Sequence, residues 1–243
     1  MKSILQGEWV KFRSHPLCLA SLIVTLLAPG GLAWLLARAA STAGASPAGF
    51  GLEACFRGLQ LGQAGIVVAT AAFFGQEYHN SSLRTTLLAT PKRGLLLGAK
   101  LVLSAVLAFG ACLVAGIIAV VEMSLADDMM STPQIFASAG QRVLAASVSW
   151  LLLSWLSAGL CLVSRSALAA IAVLDALIVG LSELFLLFTK TARFLPDLAA
   201  MRLFIPASDG AYLPPLTGVI TQGTWAFALL VPGWLLHLRR DVR

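Results

Sequence analysis

The chain has 243 residues, of which 58% are hydrophobic and only 12% are charged, and its mean hydropathy is +0.88. Soluble domains carry about twice that share of charged residues, so the composition excludes an ordinary soluble protein. The net charge of +6 does not indicate a nucleic-acid partner, because an excess of basic residues is typical of the cytoplasmic loops of membrane proteins.

Six apolar stretches are long enough to cross a bilayer as helices, which takes about 20 residues each. Helices are expected because lipid offers no partners for backbone polar groups, which must be paired within the segment. The sequence therefore predicts an all-α, polytopic membrane protein with a single transmembrane domain over residues 1–243. Pro29 and Pro232 should kink the first and last helices. The predicted spans are residues 17–37, 59–75, 95–121, 143–163, 167–188 and 218–238.

The basic residues divide unequally between the two sides of this layout. Placing both termini on one side gives that side eleven of the 17 basic residues, with Lys100 counted among them, and three acidic residues. The other side receives six of each. Both termini are therefore predicted to be cytoplasmic. The alternative is a cleaved signal peptide, but the first apolar run is longer than the roughly 7–15 residues of a signal core.

The segment before the first span has the pattern of an amphipathic helix. Leu5, Trp9 and Phe12 recur at i, i+4 and i+7, and Glu8 can pair with Lys11 at i+3. A basic amphipathic helix with aromatic residues tends to lie in the headgroup plane of a membrane. We predict such an interfacial helix; the alternative is a charged stub that only sets the topology.

Residues 76–94, on the predicted cytoplasmic side, are too polar to span the membrane but have a helical pattern. Leu83, Leu87 and Thr90 recur at i, i+4 and i+7, and Pro91 ends the stretch. Such a helix can lie on the membrane surface or in a groove of a soluble partner, and periodicity does not distinguish these two destinations.

The predicted external connection between the fifth and sixth spans, residues 189–217, is long. Leu198, Met201 and Ile205 share a helical face between Pro196 and Pro206. We predict a short helix lying against the outer leaflet or dipping into it. An ordered, passive loop is the alternative.

Two carboxylates fall within the fifth predicted span. Asp175 lies near the bilayer midplane, where an acid costs roughly 2.5–3.5 kcal/mol on an insertion scale and must face protein or water. It either lines a substrate path or holds helices together by hydrogen bonds, and no Lys or Arg lies in the middle of a span to pair with it. Glu183 lies nearer the outer face, where it can reach Lys190 or Arg193. Candidate hydrogen-bond donors to Asp175 are Ser147, Ser149, Ser154 and Ser157.

No catalytic motif is present in the sequence. It contains no phosphate-binding G-x-x-x-x-G-K-[ST], no H-E-x-x-H and no G-x-S-x-G. The cysteines are scattered, so neither a disulfide framework nor a metal site is expected. They are Cys18, Cys55, Cys112 and Cys161. From its residues alone, the chain is a six-span, transport-like membrane protein.

Several motifs in order resemble the permease subunit of type-2 ABC exporters. Residues 8–14 (EWVKFRS) resemble an E-W-x-K-x-R-S opening common in bacterial members. Residues 77–100 resemble the segment that follows the second span, and residues 234–241 resemble the carboxyl terminus. The chain departs from the family at Ser81-Ser82, where Gly-Thr is frequent, which puts the details of that loop in doubt.

The resemblance gives roles to the segments predicted above. The amino-terminal helix would be the elbow on the inner leaflet, with Leu5, Glu8, Trp9, Lys11 and Phe12. The external segment would close the outer gate, and Asp175 and Glu183 would be the candidates for the substrate path. Residues 76–94 would form the coupling helix that docks on a separate ATPase. The coupling residues would be Glu77, Tyr78, Leu83, Arg84, Leu87, Pro91, Lys92 and Arg93.

The resemblance also implies partners and a function. Two permease copies would work with two cytoplasmic ATPase subunits, which would bind ATP and magnesium, while this chain would bind no cofactor and catalyse no reaction. The assembly would export an amphipathic substrate, such as an antimicrobial peptide or a drug-like molecule, across a prokaryotic cytoplasmic membrane. The alternatives are a non-pumping sensor or scaffold, and a solute-binding membrane subunit of an importer.

Overall fold

The computed structural model describes residues 2–42, 47–78, 93–126, 133–204 and 212–239, and within these ranges it is helical with no strands. Short 3-10 turns at Gln76–Tyr78 and Lys190–Phe194 join some of the helices. The α-helices are α1 (Lys2–Ser14), α2 (Pro16–Thr42), α3 (Pro47–Gly75), α4 (Arg93–Ala126), α5 (Pro133–Ser164), α6 (Ala167–Ala176), α7 (Ser182–Phe188), α8 (Pro196–Ala199), α9 (Met201–Phe204) and α10 (Pro215–Arg239).

Five helical stretches are long and apolar enough to cross a membrane, and a sixth is present if the bent pair formed by α1 and α2 counts as one span. The two members of that pair meet at 79°, as expected of an elbow. Several spans exceed the predicted ones because Arg57 and Arg142 interrupt the apolar runs without ending the helices. The five stretches are Cys55–Tyr78, Gly94–Glu122, Ala137–Ser164, Ala167–Phe188 and Pro215–Arg239.

Helices α3 and α5 form the centre of the bundle, and polar side chains join them along their length. The amide of Gln63 donates to Ser149 Oγ at 3.3 Å, and Ser157 Oγ donates to the carbonyl of Val67 at 3.1 Å. Within lipid, such hydrogen bonds between helices are favoured because the groups have few other partners. Two of the serines predicted as donors to Asp175 therefore serve the α3–α5 contact.

Glycines bring α10 close to α5. A Cβ on Gly159 would lie 2.7 Å from the backbone nitrogen of Leu230, and one on Gly233 would lie 2.9 Å from Leu162 Cβ. Small residues allow this close approach of helix backbones in membranes. The sixth span is therefore fixed to the centre of the bundle through backbone contact.

The fifth span is broken, which sequence reasoning missed. A π-helical turn, Leu177–Leu181, separates α6 from α7, and within it Gly180 has φ 141° and ψ −4°. Only glycine adopts this conformation readily, because it has no Cβ. By contrast, α2 continues through Pro29 and α10 through Pro232 without interruption, and the predicted kinks at these prolines stay predictions.

The predicted external segment packs against protein. It forms the two short helices α8 and α9, whose Leu198 and Met201 are buried. Met201 and Phe204 belong to a hydrophobic cluster with Phe56 of α3. The segment is helical as predicted, and the apolar face that Leu198 and Met201 share packs on the ends of the spans; a contact of this segment with the outer leaflet stays a prediction. Ile205 and Pro206 lie outside the described residues.

The two ends of the described chain lie at the same end of the bundle. Phe12 of α1 contacts Phe73 near the end of α3, with ring centroids 5.4 Å apart. A Cβ on Gly94, at the start of α4, would lie 3.8 Å from side-chain atoms of Leu238 and Trp234 near the end of α10. We call this the α1 end. Its placement on the cytoplasmic side stays a prediction.

We predict that Gly180→Ala lowers the free energy of unfolding by about 1–3 kcal/mol, because alanine is strained at a positive φ. Gly110→Ala in α4 is the matched control. An added Cβ meets no atom within 4 Å at either position, so the variants differ only in backbone conformation. Reversible denaturation in mixed micelles measures both, and equal stability of the two variants would contradict a constrained break at Gly180.

Candidate functional site

The candidate site lies at the α1 end, where α1, the end of α3 and the start of α4 converge. The Gln76–Tyr78 turn follows α3 directly and leads into residues 79–92. Glu77 and Tyr78 are the first two predicted coupling residues, and Arg93 begins α4. The predicted coupling residues outside the described part of the chain are Leu83, Arg84, Leu87, Pro91 and Lys92.

A lysine at the centre of the site is completely buried. Lys100 Nζ lies 2.8 Å from Glu77 Oε1 and donates a hydrogen bond of 3.1 Å to the carbonyl oxygen of Phe73. The same ammonium lies 4.4 Å from the centroid of the Phe73 ring and 5.5 Å from that of Phe74, at distances typical of cation–π contacts. Glu77 lies in the turn that precedes residues 79–92 in the sequence, and Lys100 lies in the helix α4 that follows them.

A second glutamate reaches the same lysine from the amino-terminal helix. Glu8 Oε2 lies 3.6 Å from Lys100 Nζ, and Glu8 Oε1 accepts a hydrogen bond of 2.7 Å from Lys11. Glu8 is 2% exposed and Glu77 is 6% exposed. Two lysines and two glutamates thus alternate and balance in charge. We call Glu8, Lys11, Glu77 and Lys100 the buried ion network.

The predicted elbow residues divide between two faces of α1. Glu8 and Phe12 are buried, whereas Trp9 is 43% exposed and stacks on Phe12 at a centroid distance of 6.2 Å. Leu5 is partly buried. The sequence placed Leu5, Trp9 and Phe12 on one membrane-facing side. In the structure Phe12 and Glu8 instead face the bundle, because Phe12 packs on Phe73 and Glu8 pairs with Lys100.

Two assignments from the sequence change at this site. Lys100 was counted as a charge outside the membrane, but it lies within the apolar stretch Gly94–Glu122. Glu77 was expected to face an ATPase, and its side chain points instead to Lys100. Leaving the buried Glu8, Glu77 and Lys100 out of the count still leaves ten basic residues against one acidic residue on that side. The charge asymmetry therefore survives the correction.

The substrate-path candidates lie away from the buried ion network. Asp175 on α6 is half-buried, and its Oδ1 has no hydrogen-bond partner among the described residues. None of the four serines proposed as donors bonds to it: Ser149 accepts from Gln63, Ser157 donates to α3, and the other two bond to their own helix. Glu183 is exposed at the start of α7, and no ion pair within the described ranges joins it to Lys190 or Arg193.

Sequence analysis missed two buried glutamines. Gln222 on α10 is fully buried, and neither its amide nitrogen nor its amide oxygen has a hydrogen-bond partner in the part of the chain that the structure describes. The side-chain oxygen of Gln63 is likewise buried and unpaired there. Buried polar groups are normally hydrogen-bonded, so these atoms have unused capacity for a ligand or water. The signals in the sequence were Gln60 and Gln63 in the second predicted span and Gln222 in the sixth.

At the opposite end, a buried acid attaches the external segment to the broken fifth span. Ser182 Oγ donates a hydrogen bond of 2.7 Å to Asp197 Oδ1, and both residues are buried. Burial raises the pKa of Asp197, and the nearby Glu183 raises it further, while the hydrogen bonds from Ser182 and the local backbone oppose the shift. A second attachment is the hydrogen bond of 2.8 Å from Trp225 Nε1 to the carbonyl of Phe194.

Comparison with known proteins agrees with this architecture. No curated protein sequence gives a significant match. A family model described as "ABC-2 family transporter protein" matches residues 4–183. The matched region includes most of the elbow, the whole buried ion network and the break in the fifth span, and it confirms the resemblance found in the sequence. The chain belongs to the ABC-2 family of transporters, in which it is a membrane subunit.

Proposed function

We propose that this chain is the permease of an ATP-driven exporter, worked by separate ATPase subunits that bind ATP and magnesium. The supporting observation is the position of the buried ion network. Glu77 lies at the start of the predicted coupling segment, residues 76–94, and Lys100 is in the helix α4 that continues from its end. The ion pair between Glu77 and Lys100 joins the two ends of this segment to the bundle. A segment attached in this way can receive force from a partner and pass it to the spans.

The coupling residues then take two different roles. Leu83, Arg84 and Leu87 belong to the helical pattern that would contact the ATPase, and Lys92 would meet the headgroups at its end. Glu77 would anchor the segment to the bundle, since its carboxylate is occupied by Lys100. Both termini and this segment face the cytoplasm of a prokaryotic cell in this proposal, in accordance with the positive-inside rule. Two permease copies would complete the path.

The substrate is proposed to be an amphipathic molecule with a cationic group. A half-buried carboxylate whose Oδ1 has no hydrogen-bond partner among the described residues, that of Asp175, attracts a cation where water is scarce. Leu174 and Ile178 of the same span pack in an apolar cluster with Ala226 of the sixth span, and Gln222 of the sixth span is a further buried polar residue without a partner among the described residues. Sites with this composition bind an apolar body and orient it through a few polar contacts. Antimicrobial peptides and drug-like amines have this chemistry, and export is the direction in which they would be moved.

We predict that Arg84→Ala lowers substrate-stimulated ATP hydrolysis about tenfold, because a lost charge-assisted hydrogen bond at the contact contributes roughly 1.5 kcal/mol. The measurement uses vesicles holding the permease and the ATPase encoded beside it. Lys190→Ala, an exposed basic residue at the opposite end, is the control and should leave hydrolysis unchanged. If no ATPase co-purifies with the wild-type chain, a sensor or scaffold replaces the exporter. A small solute held tightly through purification would indicate the importer subunit.

For the substrate path, Asp175→Asn should lower the export rate of cationic substrates about tenfold, since the attracting charge is removed while the side-chain size is kept. Neutral substrates should be exported as before. Glu183→Gln, which removes an exposed acid from the same span, should affect neither class. Vesicle transport assays with paired cationic and neutral compounds measure this difference. Unchanged rate and substrate range would make Asp175 a packing residue.

The external segment is proposed to close the outer exit, and its attachment should depend on pH. The pKa of Asp197 is raised, so the docked segment favours the protonated acid. Docking is therefore strongest below the ordinary pKa of an aspartic acid and weakens as pH rises through the raised value. Amide exchange of residues 190–204, corrected for the intrinsic effect of pH, should quicken as pH rises through the raised pKa of Asp197. Asp197→Asn should remove this dependence, and Glu183→Gln should only reduce it. Exchange that is equally pH-dependent in Asp197→Asn would contradict the attachment.

A further inference from the structure

We propose that Lys100 is a positioning residue that makes α1, the Gln76–Tyr78 turn and α4 move as one body. A displacement of the segment after Tyr78 would then reach both the elbow and the third span in the same step. This inference rests on the proposed function and assigns the transmission of the ATPase stroke to one side chain.

Three oxygen atoms from neighbouring elements surround the ammonium of Lys100. Its Nζ forms ion pairs with Glu77 Oε1 at 2.8 Å and Glu8 Oε2 at 3.6 Å, and it donates a hydrogen bond of 3.1 Å to the Phe73 carbonyl. These acceptors belong to α1, to the end of α3 and to the turn that follows it. The fourth element is α4 itself, which carries the lysine. Lys100 thus has charged contacts both to α1 and to the turn.

Apolar packing alone would not transmit force in the same way. The aromatic contacts of Phe12 and Phe73 allow helices to slide, because such contacts have little directional preference. The buried ammonium instead pairs with two carboxylates and donates a hydrogen bond to the Phe73 carbonyl, and moving either carboxylate away leaves buried charge without compensation. The elements therefore move together or the network breaks at a high cost.

Stability alone does not account for a buried ion network, since replacing such a network by neutral groups of similar shape is often neutral or stabilising. Neutral replacement of the network can therefore separate its role in transmitting motion from its role in stabilising the fold. The triple variant Lys100→Met, Glu8→Gln, Glu77→Gln removes the three fully buried charges of the network at once and nearly keeps the side-chain volumes. Lys100→Met alone leaves two glutamates buried together and tests the same residue with a greater effect on folding.

The experiment compares the wild type and the triple variant in vesicles with the partner ATPase. We expect the ATPase to co-purify with both, because residues 79–92 are unchanged. Substrate exported per ATP hydrolysed should fall at least tenfold in the triple variant, while basal hydrolysis is kept. Lys11→Gln is the control: it removes the partly buried lysine that pairs with Glu8 but keeps Lys100 and both glutamates, and it should keep export per ATP within about twofold. Full export per ATP in the triple variant would overturn the proposal.

A second measurement needs no ATPase and remains usable where a variant folds poorly in the complex. Amide exchange of residues 2–14 in the permease alone should rise at least tenfold in Lys100→Met, because α1 loses its charged contact with α4. Unchanged protection of α1 would overturn the inference even if coupling were lost. If the wild-type chain associates with no ATPase but α1 is released as expected, the proposed function fails and the mechanical connection stands.

Discussion

The arrangement of the α1 end depends on the solvation of one ammonium group. Lys100 has no exposed surface, and an isolated buried charge costs far more than a folded chain can tolerate. Its compensation comes from Glu8, Glu77 and the Phe73 carbonyl, which belong to separate elements. Those elements must therefore meet at this point. The elbow cannot lie freely on the membrane surface, and the turn before residue 79 cannot drift from the bundle, without exposing or isolating that charge.

Polar groups elsewhere in the bundle fall into two sets with different consequences. Ser157 and Gln63 have partners on the neighbouring helix, and they hold α3 against α5. Gln222 and Asp175 instead carry buried atoms that lack partners in the described ranges. In a lipid-embedded protein the first set fixes the structure, because breaking it leaves a polar group without water. The second set is where a passing substrate or water would gain a hydrogen bond, because the protein has not used those atoms.

Sequence patterns predicted the features that depend on local chemistry. Apolar run length located the spans, and the i+3 spacing of Glu8 and Lys11 predicted their ion pair, which is confirmed at 2.7 Å. The predictions that failed concern features that depend on contacts between residues far apart in the sequence. A lysine near a span end normally extends to the headgroups, and only the approach of Glu8 and Glu77 turns Lys100 inward. Gly180 was overlooked because one glycine in an apolar run is compatible with a continuous helix.

The extent to which each span is buried against other helices suggests which parts of the bundle move. Spans α3 and α5 are largely buried against other helices, whereas the broken span from Ala167 to Phe188 and α10 are mostly exposed. A stroke entering at Lys100 meets α4 and the end of α3 first, so it acts on the rigid centre. The elements that can move most easily are the fifth span and α10. In the fifth span, the break at Gly180 lies directly before Ser182, whose hydroxyl bonds to Asp197 of the segment between the fifth and sixth spans. In the proposed mechanism, motion at the α1 end would release the segment at the opposite end while the hydrogen bonds between α3 and α5 stay in place.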